Sequence, residues 1–119
     1  MLLDTTMNLQ CVMAASATAA QPEIQIVYVD WTPDPQRNAI PFLARKALNH
    51  ITDVTVLAAP TGIAQAREVT HFSCYNKDSV TQTVTVKSDD GSAEYIFVKQ
   101  ALGTGKTLCW DKGAGWQLV

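Results

Sequence analysis

Charge is scarce in this sequence. Only 17% of its 119 residues are Asp, Glu, Lys or Arg, the net charge is −2, and the pI is about 5.5. That balance leaves no basic footprint for nucleic acid and no polybasic membrane anchor. Aromatic residues number nine, and they are not interleaved with basic ones as in a single-strand binder. No stretch approaches the ~20 apolar residues of a membrane-spanning helix. Cysteine is limited to Cys11, Cys74 and Cys109. Disulfide scaffolds use even counts at close spacing, so three reduced, poorly accessible thiols of a protein made in a reducing cytosol are expected.

The N-terminal run "LQCVMAASATAAQ" has the look of a leader ending in a small-residue cleavage site. A signal peptide needs a positive n-region, and no basic residue precedes Arg37. The run is therefore expected to belong to the fold. Hydrophobic residues make up 47% of the chain, which suits one domain over residues 1–119 with one modest core. Its N-terminal strand or arm spans 1–22. A proline-rich connection spans 32–51, where Pro33, Pro35 and Pro41 forbid a central strand.

Strand patterns dominate the rest. "EIQIVYVDW" (23–31) turns Ile24, Ile26 and Tyr28 one way and Val27, Val29 and Trp31 the other, so both faces are apolar. "VTQTVTVKS" (80–88) alternates Val80, Val84 and Val86 with Thr81, Thr83, Thr85 and Lys87. "AEYIFVKQAL" (93–102) carries Tyr95 and Phe97 on one face and Ile96 and Val98 on the other. Further strands are read at 9–15, 53–60, 67–76, 106–111 and 116–119. One short helix is expected over 42–51, with Phe42, Leu43, Ala47, Leu48 and Ile51 on a stripe and Asn38 as its cap. Seven to eight short strands with glycine turns predict an all-β fold, an antiparallel β-sandwich or jelly roll.

Candidate chemistry is thin. "GTGKT" (103–107) matches the tail of a phosphate-binding loop, but Gln100 stands where the first glycine belongs. The ten or so residues that follow cannot supply the crossover helix and strand. The run is expected to be a hairpin turn with Lys106 in solvent. A zinc site would need the three cysteines with His50 or His71, and His71 and Cys74 fall on opposite faces of one strand. Asp89 and Asp90 are explained by a primed hairpin turn at Asp90-Gly91, without calcium. His50 and His71 lack a local nucleophile or carboxylate arrangement along the chain. No catalytic residue, metal or cofactor is assigned, and the chain reads as a non-enzyme. Trp31, Trp110 and Trp116 could stack on sugars, although core or interface anchoring is the commoner use of tryptophan. Strands apolar on both faces need a second cover, so Tyr95, Phe97, Trp31 and Trp110 are the interface candidates.

The N-terminal "MLLDTTMNLQCVMAASATAAQPEIQIVYVD" resembles the opening of small virion proteins of tailed bacteriophages. There, an "LQCVMAA" strand leads through a small-residue loop to a "YVD" strand. The C-terminal half resembles the same group: Tyr75-Asn76 before an acidic turn, a Val/Thr strand, an Asp-Gly turn, a strand ending at Leu102, and a closing Gly-Trp. The likeness covers roughly 80 of the 119 residues, all of it strand-and-turn chemistry. Residues 32–51 depart from it. It implies a β-sandwich structural protein of the particle, synthesised in the host cytoplasm and located in the virion. Capsid decoration on the exterior is favoured over a tail, neck or fibre-attachment role; a carbohydrate-binding module aiding adsorption is the alternative. Other virion proteins, major capsid or tail, are the expected partners. A homo-oligomer is expected, a trimer rather than a dimer, with neither nucleic acid nor membrane bound.

Overall fold

The computed structural model describes residues 1–33 and 40–119. Ten antiparallel strands run in chain order: β1 Leu2–Asp4, β2 Asn8–Met13, β3 Glu23–Trp31, β4 Pro41–Ala47, β5 Val54–Leu57, β6 Ala66–Tyr75, β7 Gln82–Asp89, β8 Glu94–Leu102, β9 Thr107–Asp111 and β10 Gly115–Leu118. One sheet has the order β10-β9-β6-β3-β4, and the other β5-β2-β7-β8. The short β1 also pairs with β6, at residues 66–68, in line with β9, which pairs with β6 at 71–75. The expected antiparallel β-sandwich is the observed architecture.

Alternation builds the core. Leu9, Cys11 and Met13 of β2 and Val84 and Val86 of β7 meet Ile24 and Ile26 of β3 and Val69, Phe72 and Cys74 of β6, all buried. Each comes from a position whose sequence neighbours are more exposed, as the two-residue period of a strand requires.

Two expectations on strand content need correcting. Residues 42–51 hold no helix; Pro41–Ala47 is a strand paired with β3 in one unbroken register from Glu23↔Ala47 to Val29↔Pro41. A helix of fewer than three turns is marginal in water, whereas a ladder against a long central strand satisfies the same backbone groups cooperatively. Its proposed cap, Asn38, lies outside the described residues. β1 was also unread, since three residues carry no periodic signal, and with β4 it raises the count to ten.

The turns also differ in detail. β8 and β9 lie in different sheets, so GTGKT crosses the sandwich and does not close a hairpin. Lys106 N–H donates to Gly103 O (3.0 Å), and Gly105 takes a φ of 75°, a region that favours glycine. In the loop after β7, only Gly91 has positive φ (91°), so the primed two-residue turn is absent. Instead the Asp90 carboxylate accepts from Ser92 N–H, Ser92 Oγ and Ala93 N–H (2.7–3.0 Å), and that Asx arrangement sets the bend.

Polar groups close both ends of the sandwich, half-buried at one and fully buried at the other. At one end Arg67 pairs with Asp30 through two bonds (2.7 and 3.1 Å), donates to Ala58 O (2.8 Å), and lies 4.7 Å from the Tyr28 ring centroid. At the other end of β6, the fully buried Asn76 donates to Val80 O and Leu102 O (3.0 and 2.8 Å) and accepts from Asp78 N–H (3.0 Å). Its backbone bonds Lys106 and Gly105 of the crossing turn. Beside it, Asp78 is fully buried and accepts from Thr18, Ala19, Ala20 and Ser79 N–H and from Gln82 Nε2, at 2.6–3.2 Å. The small-residue run 14–20 is thus a loop wrapped on a carboxylate.

Replacing Asn76 by Ala strands the carbonyls of Val80 and Leu102 and the Asp78 N–H. A loss of about 3–5 kcal/mol in urea unfolding is expected, against less than ~1 kcal/mol for Asn8→Ala, which frees a single bond to Ala59 N–H. Those N–H donors, Thr18 first, hold the Asp78 carboxyl well below the usual carboxylate range. A depressed folded-state pKa gives stability that is present above the unfolded value near ~3.9 and lost as pH falls through the folded one. Asp78→Asn should therefore destabilise the protein at pH 7 and flatten the fall in melting temperature below pH 4; an unchanged acid limb would contradict the assignment.

Candidate interaction surface

The long sheet shows which face of β3 is spare. Ile24 and Ile26 point into the core, while Val27, Val29 and Trp31 stand on the outer face. A register shift after Val27, opposite Thr70, keeps the outward series in phase. Val27 lies between Leu43 and His71, and Val29 between Pro41 and Glu68. Trp31 is 46% exposed and donates its indole N–H to Glu68 Oε2 (2.9 Å). Glu68 also pairs with Lys112 and lies opposite Leu2 of β1. Those bonds, to Lys112 first and then Trp31, hold the Glu68 carboxyl below its ordinary value. The result is an outer apolar band in which Val27 and Val29 are half-buried between their neighbours and Trp31, Pro41 and Leu43 are exposed, with one acidic group pinned at its side.

The second apolar feature is the start of β8. Tyr95, Ile96 and Phe97 are exposed by 59%, 65% and 40%. The expectation that one of the two faces of this strand lies inside is only partly met. A bulge leaves Phe97 without a partner, between Val86↔Val98 and Lys87↔Ile96. Val98 therefore joins the core beside Val86, whereas Ile96 is turned to the Lys87 side. The bulge splits the pair Ile96/Val98 that simple alternation puts on one face. Lys87, on the strand face of Thr83 and Thr85 by alternation, is buried between Asp53 and Glu94, at 2.9 Å from each.

The remaining candidates separate clearly. Trp110 pairs across the β9–β10 hairpin with Trp116 at 6.4 Å, and Trp116 meets Phe72 edge-on at 5.6 Å. Both indoles are half-buried against the core, so Trp110 is a packing residue more than a free anchor. Among the described residues, no three His, Cys, Asp or Glu side chains gather as metal ligands. His50 has a φ of 51° and accepts Ala17 N–H on Nδ1 (3.1 Å), which helps hold the 14–20 loop. His71 does find a carboxylate partner, from far along the chain: Nδ1 lies 2.7 Å from Asp111 Oδ1. Cross-strand register brings them together, and chain spacing carries no trace of it.

Cys11 and Cys74 are buried as expected, but Cys109 is partly exposed on the outer face beside Ser73. Burial pushes the Cys74 thiol up to about 12 and Cys11 well above its usual range, and it raises Cys109 too, with Asp111 adding to the shift.

Comparison with protein-family models, with curated proteins and with solved structures returned no match for this chain.

Two outcomes follow from this geometry. Alkylation of the native protein should modify Cys109 alone, with Cys11 and Cys74 reacting only in denaturant, as intact mass spectrometry would show; native modification of all three would contradict the packing. Lys106→Ala should melt like the wild type, and ATP should leave the melting temperature of both unchanged. An ATP-dependent stabilisation lost on that substitution would restore the nucleotide reading.

Proposed function

We propose that the chain is a non-enzymatic structural component of a tailed-bacteriophage virion, a capsid decoration protein that docks on the particle exterior through an apolar sheet face. The observation that carries this reading is the outer face of β3. Its inner residues fill a complete core, yet Val27, Val29 and Trp31 continue the apolar pattern on the side that nothing in the chain's described residues covers. Fully burying a side chain of this kind is worth about 1.5–3 kcal/mol, and the part of each still in water is recovered by burial on a partner. The sandwich and the strand-and-turn likeness to small virion proteins support the same reading. The polar groups at both ends are committed to holding loops, a use suited to a rigid docking module.

Tail or neck attachment uses the same surface and differs only in partner. The carbohydrate-module alternative loses support from the packing, because two of its three tryptophans contact each other and Phe72.

Binding to purified particles that lack the chain tests the proposal. The wild type should co-sediment with isolated capsids. Val29→Ser with Trp31→Ser should bind at least ~10-fold more weakly while keeping its circular dichroism, since two anchors at a few kcal/mol each are removed. The Tyr95→Ser, Phe97→Ser pair asks the same of β8. Co-sedimentation with tails alone would move the role to the tail. Undiminished binding by both variants, or a defined sugar bound on a glycan array through Trp31, would overturn the docking reading.

A further inference from the structure

We infer that β4 is a dimerisation strand, pairing antiparallel with β4 of a second copy about a two-fold axis at Ala44. This inference stands apart from the virion reading and uses the edge of the sheet, which borders the docking face at Pro41 and Leu43.

The edges of a sandwich are not equivalent. Unpaired strands recruit other strands unless they are short, bulged or otherwise guarded. β5 and β10 have four residues each, and the β2–β5 ladder shifts register between Leu9 and Gln10. β8 is long but carries the bulge at Phe97. Among the described residues, β4 is the edge strand that is both long and regular: seven residues pair with β3 with no shift. It is exposed along nearly its whole length, including Phe42 and Leu43.

The ladder also fixes which backbone groups are free. Leu48 N–H donates to Pro22 O (2.9 Å). With alternation, the even-numbered residues of this segment turn their amides to β3, and Leu43, Arg45 and Ala47 turn theirs to the open edge. Pro41 occupies an edge-facing position too: its missing N–H breaks no bond to β3, and at the end of a whole-strand pairing it costs one of the two bonds to Ala47 of the second copy, whereas a proline at 43 would remove one near the centre.

The sequence Pro41–Ala47, PFLARKA, suits itself in reverse. An antiparallel register using the whole strand centres on Ala44. It sets Leu43 opposite Arg45 and Phe42 opposite Lys46 in each half. The Leu43/Arg45 positions exchange the free N–H and C=O groups. The Phe42/Lys46 positions fall in the closer, non-hydrogen-bonded pairs, where an ammonium can sit over an aromatic face and its stem can cover the ring. No basic residue faces its own copy. A register centred one residue later would set Arg45 against Arg45, which like-charge repulsion disfavours. Ala44, the smallest side chain in the segment's middle, is the one that must meet itself on the axis. The lysine that elsewhere guards an edge here has a partner. Such a contact is two-fold, unlike the threefold assembly favoured from the sequence, and it would join the two long sheets into one.

Cross-linking reads the register directly. In a Cys109→Ser background, Ala44→Cys should form a symmetric disulfide dimer under mild oxidation, because a non-hydrogen-bonded pair brings the Cα atoms to about 4.5 Å. Leu43→Cys should cross-link at least ~10-fold more slowly, its copies being offset by two residues along the strands and beyond about 7 Å. Light scattering of the wild type should give twice 12.9 kDa. Leu43→Pro, which removes an edge-facing N–H and leaves the β3 ladder intact, should give the monomer mass with unchanged circular dichroism. A monomeric wild type at ~1 mM, a dimeric Leu43→Pro, or cross-linking at 43 as fast as at 44 would each overturn the inference.

Discussion

The Asp78 carboxylate is the constraint around which one end of this protein is arranged. A fully buried anion has to be matched by donors, and four backbone N–H groups and the Gln82 amide match it. Three of those amides belong to consecutive residues of the loop after β2, so the need to satisfy one carboxylate fixes the path of a segment that has almost no side chains with which to fix itself. Asn76, two residues before, performs the complementary task for the crossing turn after β8. Between them they hold the loop that leads into β3 and the turn that leads into β9. Satisfied networks of this kind specify a fold, whereas half-satisfied ones destabilise it.

With the loops fixed in this way, and with Arg67 and Asp30 at the opposite end, the faces and edges become the variable part of the molecule. The outer face of β3 carries an apolar band, β8 carries exposed aromatics on a bulged strand, and β4 presents a regular edge. A face and an edge differ in what they recognise. The face offers area without direction, suited to a broad partner surface. The edge offers a row of directed backbone groups and therefore a register. The proposed docking draws on side chains and the proposed pairing on backbone groups, and the two meet at Pro41 and Leu43.

Much of the fold could be read from the residues, and the misses share a cause. β3 is legible at both ends because Ile24, Ile26 and their alternates follow a two-residue period. Val84 and Val86 make β7 equally plain. β4 was missed because PFLARKA carries a helical stripe and no β-branched residue; its strand state comes from β3, a non-local partner that local propensity does not see. The Phe97 bulge was missed for a similar reason, since an extra residue shows only when the opposite strand is aligned. Of the interface candidates, Trp31, Tyr95 and Phe97 are exposed and Trp110 is half-buried. The Asp78 staple left only a faint mark in the sequence: an Asn-x-Asp turn and, sixty residues earlier, a run of alanine, serine and threonine. His71 and Asp111 left none.

Residue-resolved hydrogen exchange on the native protein tests most directly whether Asp78 fixes this end of the sandwich. The amides of Thr18, Ala19 and Ala20 should be protected to within about tenfold of those in the central strands β2 and β7, because opening them exposes a buried charge and requires sub-global unfolding. If these three amides instead exchange at the rate of exposed loop residues such as Gly91 and Gly113, the loop is not held by the carboxylate and the account of how the sandwich is closed is wrong.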